Sequence, residues 1–200
     1  MYFVNVTDTN SCSKTDSVEV IVNPLPNADA GVNKEICIGD TTQLNAGGGT
    51  VFIWIHDATL TNDSVANPFA FPTDTTKYFV NVTDTNGCIN IDSVQIDVND
   101  LPVVNAGNDT NSCKNSGVVL GGSPTAPAGS TYLWSPAIFL DNVTLANPTA
   151  TPDTATTYFV NVIDSNGCNN TDSTMVSIFS ILSISDTSFC KGDSVTLFVN

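Results

Sequence analysis

Arginine is absent from this 200-residue chain, glutamate occurs twice and histidine once. Each shortage excludes something. Five lysines stand against 20 acidic residues, for a formal net charge of −15. With no guanidinium forks and no basic face, the chain has nothing on which a phosphate backbone would lie, which excludes nucleic-acid binding. The lone histidine, His56, has Pro136 as its counterpart 80 residues on, so a Ser-His-Asp arrangement fits in one place at most. Zinc needs Cys and His clustered at close spacing, and no such cluster occurs. Charged residues are scarce, at 12%, yet hydrophobic residues reach 41%, too apolar for a disordered acidic tail. The expectation is a non-enzymatic folded protein without cofactor, its surface carried by Thr, Ser and Asn.

What the chain has is repetition. Tyr2-Phe3-Val4-Asn5-Val6, Tyr78-Phe79-Val80-Asn81-Val82 and Tyr158-Phe159-Val160-Asn161-Val162 stand 76 and then 80 residues apart, and each runs on to an Asp, a turn and a cysteine: Cys12, Cys88, Cys168. A period of that length is a small domain, so the chain reads as an array. Two complete units are expected at 24–100 and 101–179, with the tail of an earlier copy at 1–23 and the head of a later one at 180–200. Met1 falls in mid-repeat, so it is not expected to be the biological start. A signal peptide, a transmembrane span or membrane insertion is not expected in such a segment, and their absence carries no information. Copies supply reach and avidity more readily than catalysis.

Apolar and polar residues alternate with period two and no stretch sustains a helical period, so the units are expected to be all-β. In the first unit strands fall near 35–38, 42–45, 51–55, 78–84 and 92–98, separated by Gly39-Asp40, Gly47-Gly48-Gly49, Asn67-Pro68 and Asn86-Gly87. Seven or so short strands in under 80 residues is the size of an immunoglobulin-like sandwich. Trp54 and Trp134 fall at matching places on the third strand and are expected in the core. The second unit carries four extra residues in the 121–130 turn, expected to lengthen a loop only. Proline-stiffened linkers at 23–26 and 99–102 point to a semi-rigid rod.

Ala30-Gly31 and Ala106-Gly107, a Cys before Gly39-Asp40 and Gly192-Asp193, Ala66-Asn67-Pro68 and Ala146-Asn147-Pro148, and Asn-Gly-Cys followed by Asp-Ser form a recurrent pattern. It resembles the PKD-like or Ig-like tandem repeats of giant cell-surface adhesins of gliding Bacteroidetes, over essentially the whole chain. The chain departs from the standard PKD pattern after the Trp, where Ile55-His56-Asp57 and Ser135-Pro136-Ala137 stand. The resemblance implies an extracellular filament on a bacterial cell surface, exported by the type IX route and used in adhesion and gliding motility. Paired cysteines in every copy fit an oxidising compartment.

The six cysteines admit two pairings. Within units, Cys37 would join Cys88 and Cys113 would join Cys168. Across the junction, Cys37 would join Cys168 and the other four would find partners in flanking copies. The first hairpin turn, carrying Cys37 or Cys113, is expected at the opposite end of a unit from the last, carrying Cys88 or Cys168. A seven-residue strand spans about 23 Å, whereas bridged Cα atoms lie within about 7 Å. The cross-junction staple is therefore preferred.

Asp followed by Ser or Thr recurs, giving candidate O-glycosylation sites at Ser17, Thr41, Ser64, Thr75, Ser93, Thr154, Ser173 and Ser194. The pattern resembles the O-glycosylation signal of Bacteroidetes secreted proteins; the bland alternative is turn chemistry. The turns at Asp8, Asp84 and Asp164 invite calcium, but one carboxylate and one amide each fall short of six ligands, so Asx-type turns are expected and calcium is the lesser alternative. The leading expectation is a stalk whose partners are its neighbouring repeats and laterally associating copies. Carbohydrate-binding modules and spacers of a secreted enzyme are the other readings. A lectin would expose Tyr132 or Phe139 beside the 121–130 and 55–62 loops; a stalk would carry no exposed aromatic cluster there.

Overall fold

The computed structural model describes residues 1–55, 59–179 and 191. Among them every helix or strand is a strand, and the chain divides into two compact units between Leu101 and Pro102. His56 and Asp57, and the 180–200 segment apart from Lys191, lie outside the described residues.

Unit 1 begins with an antiparallel hairpin, β1 (Tyr2–Thr7) and β2 (Ser13–Val18), every residue of which is exposed. The sandwich follows. β3 (Lys34–Cys37), β5 (Val51–Trp54), β7 (Thr76–Thr83) and β8 (Ile89–Asn99) form one sheet in the order β3-β8-β7-β5. β4 (Thr42–Gln43) and β6 (Phe69–Ala70) form the facing pair, extended by an isolated bridge between Leu60 and Ala70. Unit 2 repeats this. β9 (Thr110–Cys113), β11 (Thr131–Ser135), β13 (Thr156–Ile163) and β14 (Asn169–Phe179) order as β11-β13-β14-β9, faced by β10 (Val118–Val119) and β12 (Thr149–Ala150). The protein is all-β, built of immunoglobulin-like sandwiches.

Side chains alternate across a pleated strand, and β7 shows what that does. Tyr78, Val80 and Val82 point inward and are fully buried, while Phe79 is exposed. Trp54 sits opposite Val80, and Trp134 opposite Val160. Both indoles are buried, their Nε1–H groups donating to Val65 O and Leu145 O at 3.0 Å. Each Trp thus fills the core and ties the crossing loop to the sheet, giving that donor its partner.

Two expectations change. The 35–38 strand does not close a hairpin with the next strand: β3 pairs in parallel with β8, and the chain crosses to the opposite sheet at β4. Gly39, at φ +92, makes that turn, with Asp40 N–H donating back to Cys37 O. The extra residues at 121–130 are also more than a loop. They bury Thr125 and add Ala126 to the core, and Asn147 Nδ2 reaches Leu120 O, Gly122 O and Thr125 Oγ1 at 3.0–3.1 Å. An amide that satisfies two carbonyls and a hydroxyl folds the insert onto the sandwich.

Replacing Trp134 with Ala is expected to cost about 3–5 kcal/mol, because a large buried ring is lost and the cavity closes only in part. Urea unfolding of the variant followed by circular dichroism checks it; a loss under about 1 kcal/mol would show that the ring is not a core element.

Candidate functional site

The first and last strands of each sandwich run side by side in the same direction. Register sets Lys34 beside Ile96 and Cys37 beside Asn99 in unit 1, and Thr110 beside Val176 and Cys113 beside Phe179 in unit 2. Cys88 and Cys168 precede the opposite ends of β8 and β14, which are 11 residues long. At about 3.3 Å per residue, each same-unit cysteine pair is roughly 35 Å apart along the sheet, far beyond disulfide reach. In agreement, Cys37 and Cys168 are disulfide-bonded whereas Cys12, Cys88 and Cys113 are free thiols. The within-unit pairs Cys37–Cys88 and Cys113–Cys168 are therefore not formed. Cys190 lies outside the described residues.

The turn before each of these cysteines is built by one carboxylate. Asp84 Oδ1 accepts from Asn86 N and Cys88 N at 2.8 and 2.9 Å, and Asp164 does the same for Asn166 and Cys168. Asp8 holds the hairpin turn likewise through Asn10 and Cys12. These are Asx turns, with the oxygen spent on backbone donors. Among the described residues no group of three or more His, Cys, Asp or Glu side chains is placed to hold a metal ion.

Two contacts that the sequence reading missed fasten the entry of each unit to its last strand. Asn90 Nδ2 donates to Pro26 O and Asn170 Nδ2 to Pro102 O, both at 3.0 Å. Asp92 Oδ2 accepts from Ala30 N, and Asp172 Oδ2 from Ala106 N, at 2.8 Å. The signal in the sequence is an Asn two and an Asp four residues after each cysteine; the Asp, followed by Ser, also fits the modification pattern. With the parallel ladder, these contacts make the first dozen residues of a sandwich adhere along its final strand.

The candidate hydroxyls separate by environment. Thr41, Ser64 and Thr154 are exposed in turns, although Ser64 Oγ donates to Asp63. Thr75 is exposed, but its Oγ1 accepts from Val98 N. Ser17, Ser93 and Ser173 lie within β2, β8 and β14, opposite Phe3, Phe79 and Phe159, and Ser93 is half-buried. Ser194 lies outside the described residues. Of the aromatics a lectin would expose, Tyr132 packs against the core and Phe139 is half-buried at φ +65, its carbonyl accepting from Thr151 N.

Burial raises the phenol pKa of Tyr78, with an opposing hydrogen bond from Thr59 at 2.6 Å, and burial raises that of Tyr158. Asp141 is held below the carboxylate range, chiefly by the Thr149 backbone amide that its Oδ1 accepts at 2.9 Å.

Two measurements test this geometry. Without reductant, iodoacetamide is expected to modify Cys12 and Cys113 rapidly and half-buried Cys88 more slowly, and to leave Cys37 and Cys168 untouched; mass mapping that finds Cys37 alkylated contradicts the assignment. The tyrosine phenols are neutral in both folded and unfolded chains below about pH 10. Above it the unfolded chain ionises first, so the stabilisation they carry is present below the unfolded pKa and is lost as pH rises through the folded one. Denaturant midpoints should therefore fall in alkali. Tyr78→Phe combined with Tyr158→Phe should flatten that decline.

Comparison with family models and with curated proteins gives no match. Solved structures similar to this chain include Drosophila OTK extracellular domains 3–5, at 13% identity and a TM-score of 0.40, covering 89% of this chain and 70% of that one. An I-band fragment from titin matches at 11% and 0.41, over 78% and 66%. The insect immune protein hemolin matches at 14% and 0.41, over 82% and 49%.

Proposed function

We propose that this chain is a stalk segment of a long secreted cell-surface adhesin filament, working under tension. The observation that carries the proposal is the parallel pairing of the first with the last strand of each sandwich. Chain enters a unit beside the turn that bears Cys88 or Cys168 and leaves at the far end of β8 or β14. Tension on the two ends therefore loads the ladder, together with the Asp92 and Asn90 contacts, in shear. All of these bonds must then yield together, whereas a peeled antiparallel pair yields one bond at a time.

The resemblance noted above supports placing the filament outside the cell, on the surface of a gliding bacterium served by type IX export. It supports adhesion and gliding as the purpose of the reach. A non-enzymatic role fits a geometry in which Asp8, Asp84, Asp141 and Asp164 are engaged as turn caps. Sugar is proposed on Thr41, Ser64 and Thr154, the hydroxyls in exposed turns, where it would add hydration to a surface poor in charge.

We further infer that Cys37 and Cys168 are the two ends of one staple across the Leu101–Pro102 junction. Both are bonded while every same-unit partner is a free thiol. By the same repeat logic Cys113 takes the role of Cys37 toward a following copy, and Cys88 and Cys12 the role of Cys168 toward preceding ones. Closing a loop of about 130 residues would restrict the unfolded chain by about 4–5 kcal/mol on the entropic account.

Non-reducing proteolysis is expected to release one peptide pair joined through Cys37 and Cys168. In single-molecule pulling, Asp92→Ala together with Asp172→Ala should lower the unfolding force of both units. Reduction should lengthen the extensible contour without lowering the force of each event. A chain that unfolds at the same force without the two carboxylates would overturn the shear reading.

A further inference from the structure

The outward face of the unit 1 sheet carries a concentration of exposed apolar side chains. Cross-strand register sets Val51 beside Thr83 and Ile89, Ile53 beside Asn81 and Ile91, and Ile55 next to Phe79 and Ser93. Val51, Ile53, Ile55, Phe79, Ile89 and Ile91 are 38–58% exposed. At these exposures the six side chains together present about 500 Å², within the range of a monomer's largest apolar patch, in two rows flanking Thr83 and Asn81 of the central strand.

No carboxylate stands at these outward positions, in a chain with 20 acidic residues. Asp92, on the same strand, turns the other way to accept from Ala30 N. The single charge touching the field is Lys77, whose Nζ lies 5.5 Å from the Phe79 ring centroid. The Asp84 turn closes the opposite end of β7, while Asp97 and, beside it on β3, exposed Glu35 share the outward face beyond Gln95, outside the apolar rows.

We propose that this face docks on the same face of a second copy of the chain, so that stalks associate side by side. The proposal rests on the stalk reading and names its lateral partner. A basic partner would be drawn to the carboxylates at the turns. A field free of them is the place where two strongly acidic copies approach without facing like charges. A two-fold axis in the plane between the sheets, crossing the strands near Val80 and Asn81, reverses one copy against the other. Lys77 then meets the Asp84 end of its mate, so the face is self-complementary in charge as a two-fold contact requires.

The matching face in unit 2 carries exposed Leu133, Phe159 and Ile163 around Asn161, with Met175 farther along beside Thr157, where the Asp109 carboxylate accepts from the Met175 N–H at 2.8 Å. Each field is smaller than the roughly 800 Å² per partner of a stable complex. One pair of faces therefore binds weakly, and a row of them in two long chains binds firmly through effective concentration.

Sedimentation equilibrium of the 200-residue chain from about 10 µM to about 1 mM is expected to show a monomer–dimer equilibrium with Kd on the order of 0.1–1 mM. Raising salt should tighten it, since acidic copies repel and salt screens that repulsion. Ile53→Asp and, independently, Ile91→Lys should weaken dimerisation at least tenfold, with circular dichroism confirming the fold. Phe69→Asp, at an exposed site on the other sheet, should not. A chain that stays monomeric throughout, dimers that survive both face variants, dimers that salt dissolves, or backbone amide shifts on this face that occur only when oligosaccharide is added would each overturn the proposal. None of these outcomes touches the shear ladder or the sulfur bridge, so this inference fails separately from the stalk.

Discussion

Everything in a unit is hung on one strand whose alternation never breaks. In β7 the inward Tyr78, Val80 and Val82 have no exposed surface, and a slip of one residue would put Phe79 and Asn81 into the core and all three of those side chains into water. Register on either side follows from that choice. Trp54 finds Val80, and its indole then holds the crossing loop through Val65 O. β8 must offer Val94 and Ile96 inward opposite the lower half of β7, which leaves its upper half to present Asp92 and Asn90 to the entering chain. The same strand in unit 2 gives the same set with Tyr158, Val160 and Val162.

The acidic excess acquires a structural meaning within this frame. Asp outnumbers Glu by 18 to 2, and a shorter side chain is what an Asx turn needs. Its carboxylate reaches the amides two and four residues on without bending the backbone, whereas a further methylene would overshoot them. Asp8, Asp84 and Asp164 do this at the turns, Asp29 Oδ1 accepts from Gly31 N, and Asp141 staples a crossing loop. Part of the net charge is thus a by-product of capping in a fold with many turns.

The strand that alternates over eight residues was plain in the sequence, as were both Trp residues and the tandem organisation. The two-residue strands were not fully legible: β6, with β12, is too short to show a period, and exists because the loop fixed by the Trp carries it past β4. The parallel β3–β8 pairing joins residues about 62 apart, and no local pattern announces such a partner. The cysteines do lie at opposite ends of a unit, because β3 and β9 run parallel to β8 and β14 and not because of a hairpin. Asn90, Asp92 and their counterparts were visible as letters but not as clamps, because the groups they bind are Pro26 O and Ala30 N, backbone atoms that carry no letter. The glycines at 47–49 are a similar case. A Cβ on Gly48 would lie 1.8 Å from Asn27 O, so the entering segment is allowed to cross there only because the side chain is missing.

The two copies in one chain also separate the constraints that any unit must meet from those that it meets alone. Positions with a core or clamping task are the same in both: Trp54 and Trp134, Tyr78 and Tyr158, Asp84 and Asp164, Asn90 and Asn170, Asp92 and Asp172. Outward positions of the large sheet have drifted, Val51 to Thr131, Ile55 to Ser135, Ile89 to Asn169 and Ile91 to Thr171, yet no drift has introduced a carboxylate among them. Folding does not forbid one, since an exposed Asp on a strand face costs only a fraction of a kcal/mol. The rows from Val51 to Ile55 stay free of carboxylates while the turns around them fill with aspartate, charge on the unit 1 face being confined to Lys77, Asp97 and Glu35 at one end, and the stability of the isolated sandwich does not itself impose that restraint. Burial of these β5–β7–β8 rows against another apolar surface is a restraint of that kind, because a charge there would be desolvated without a partner.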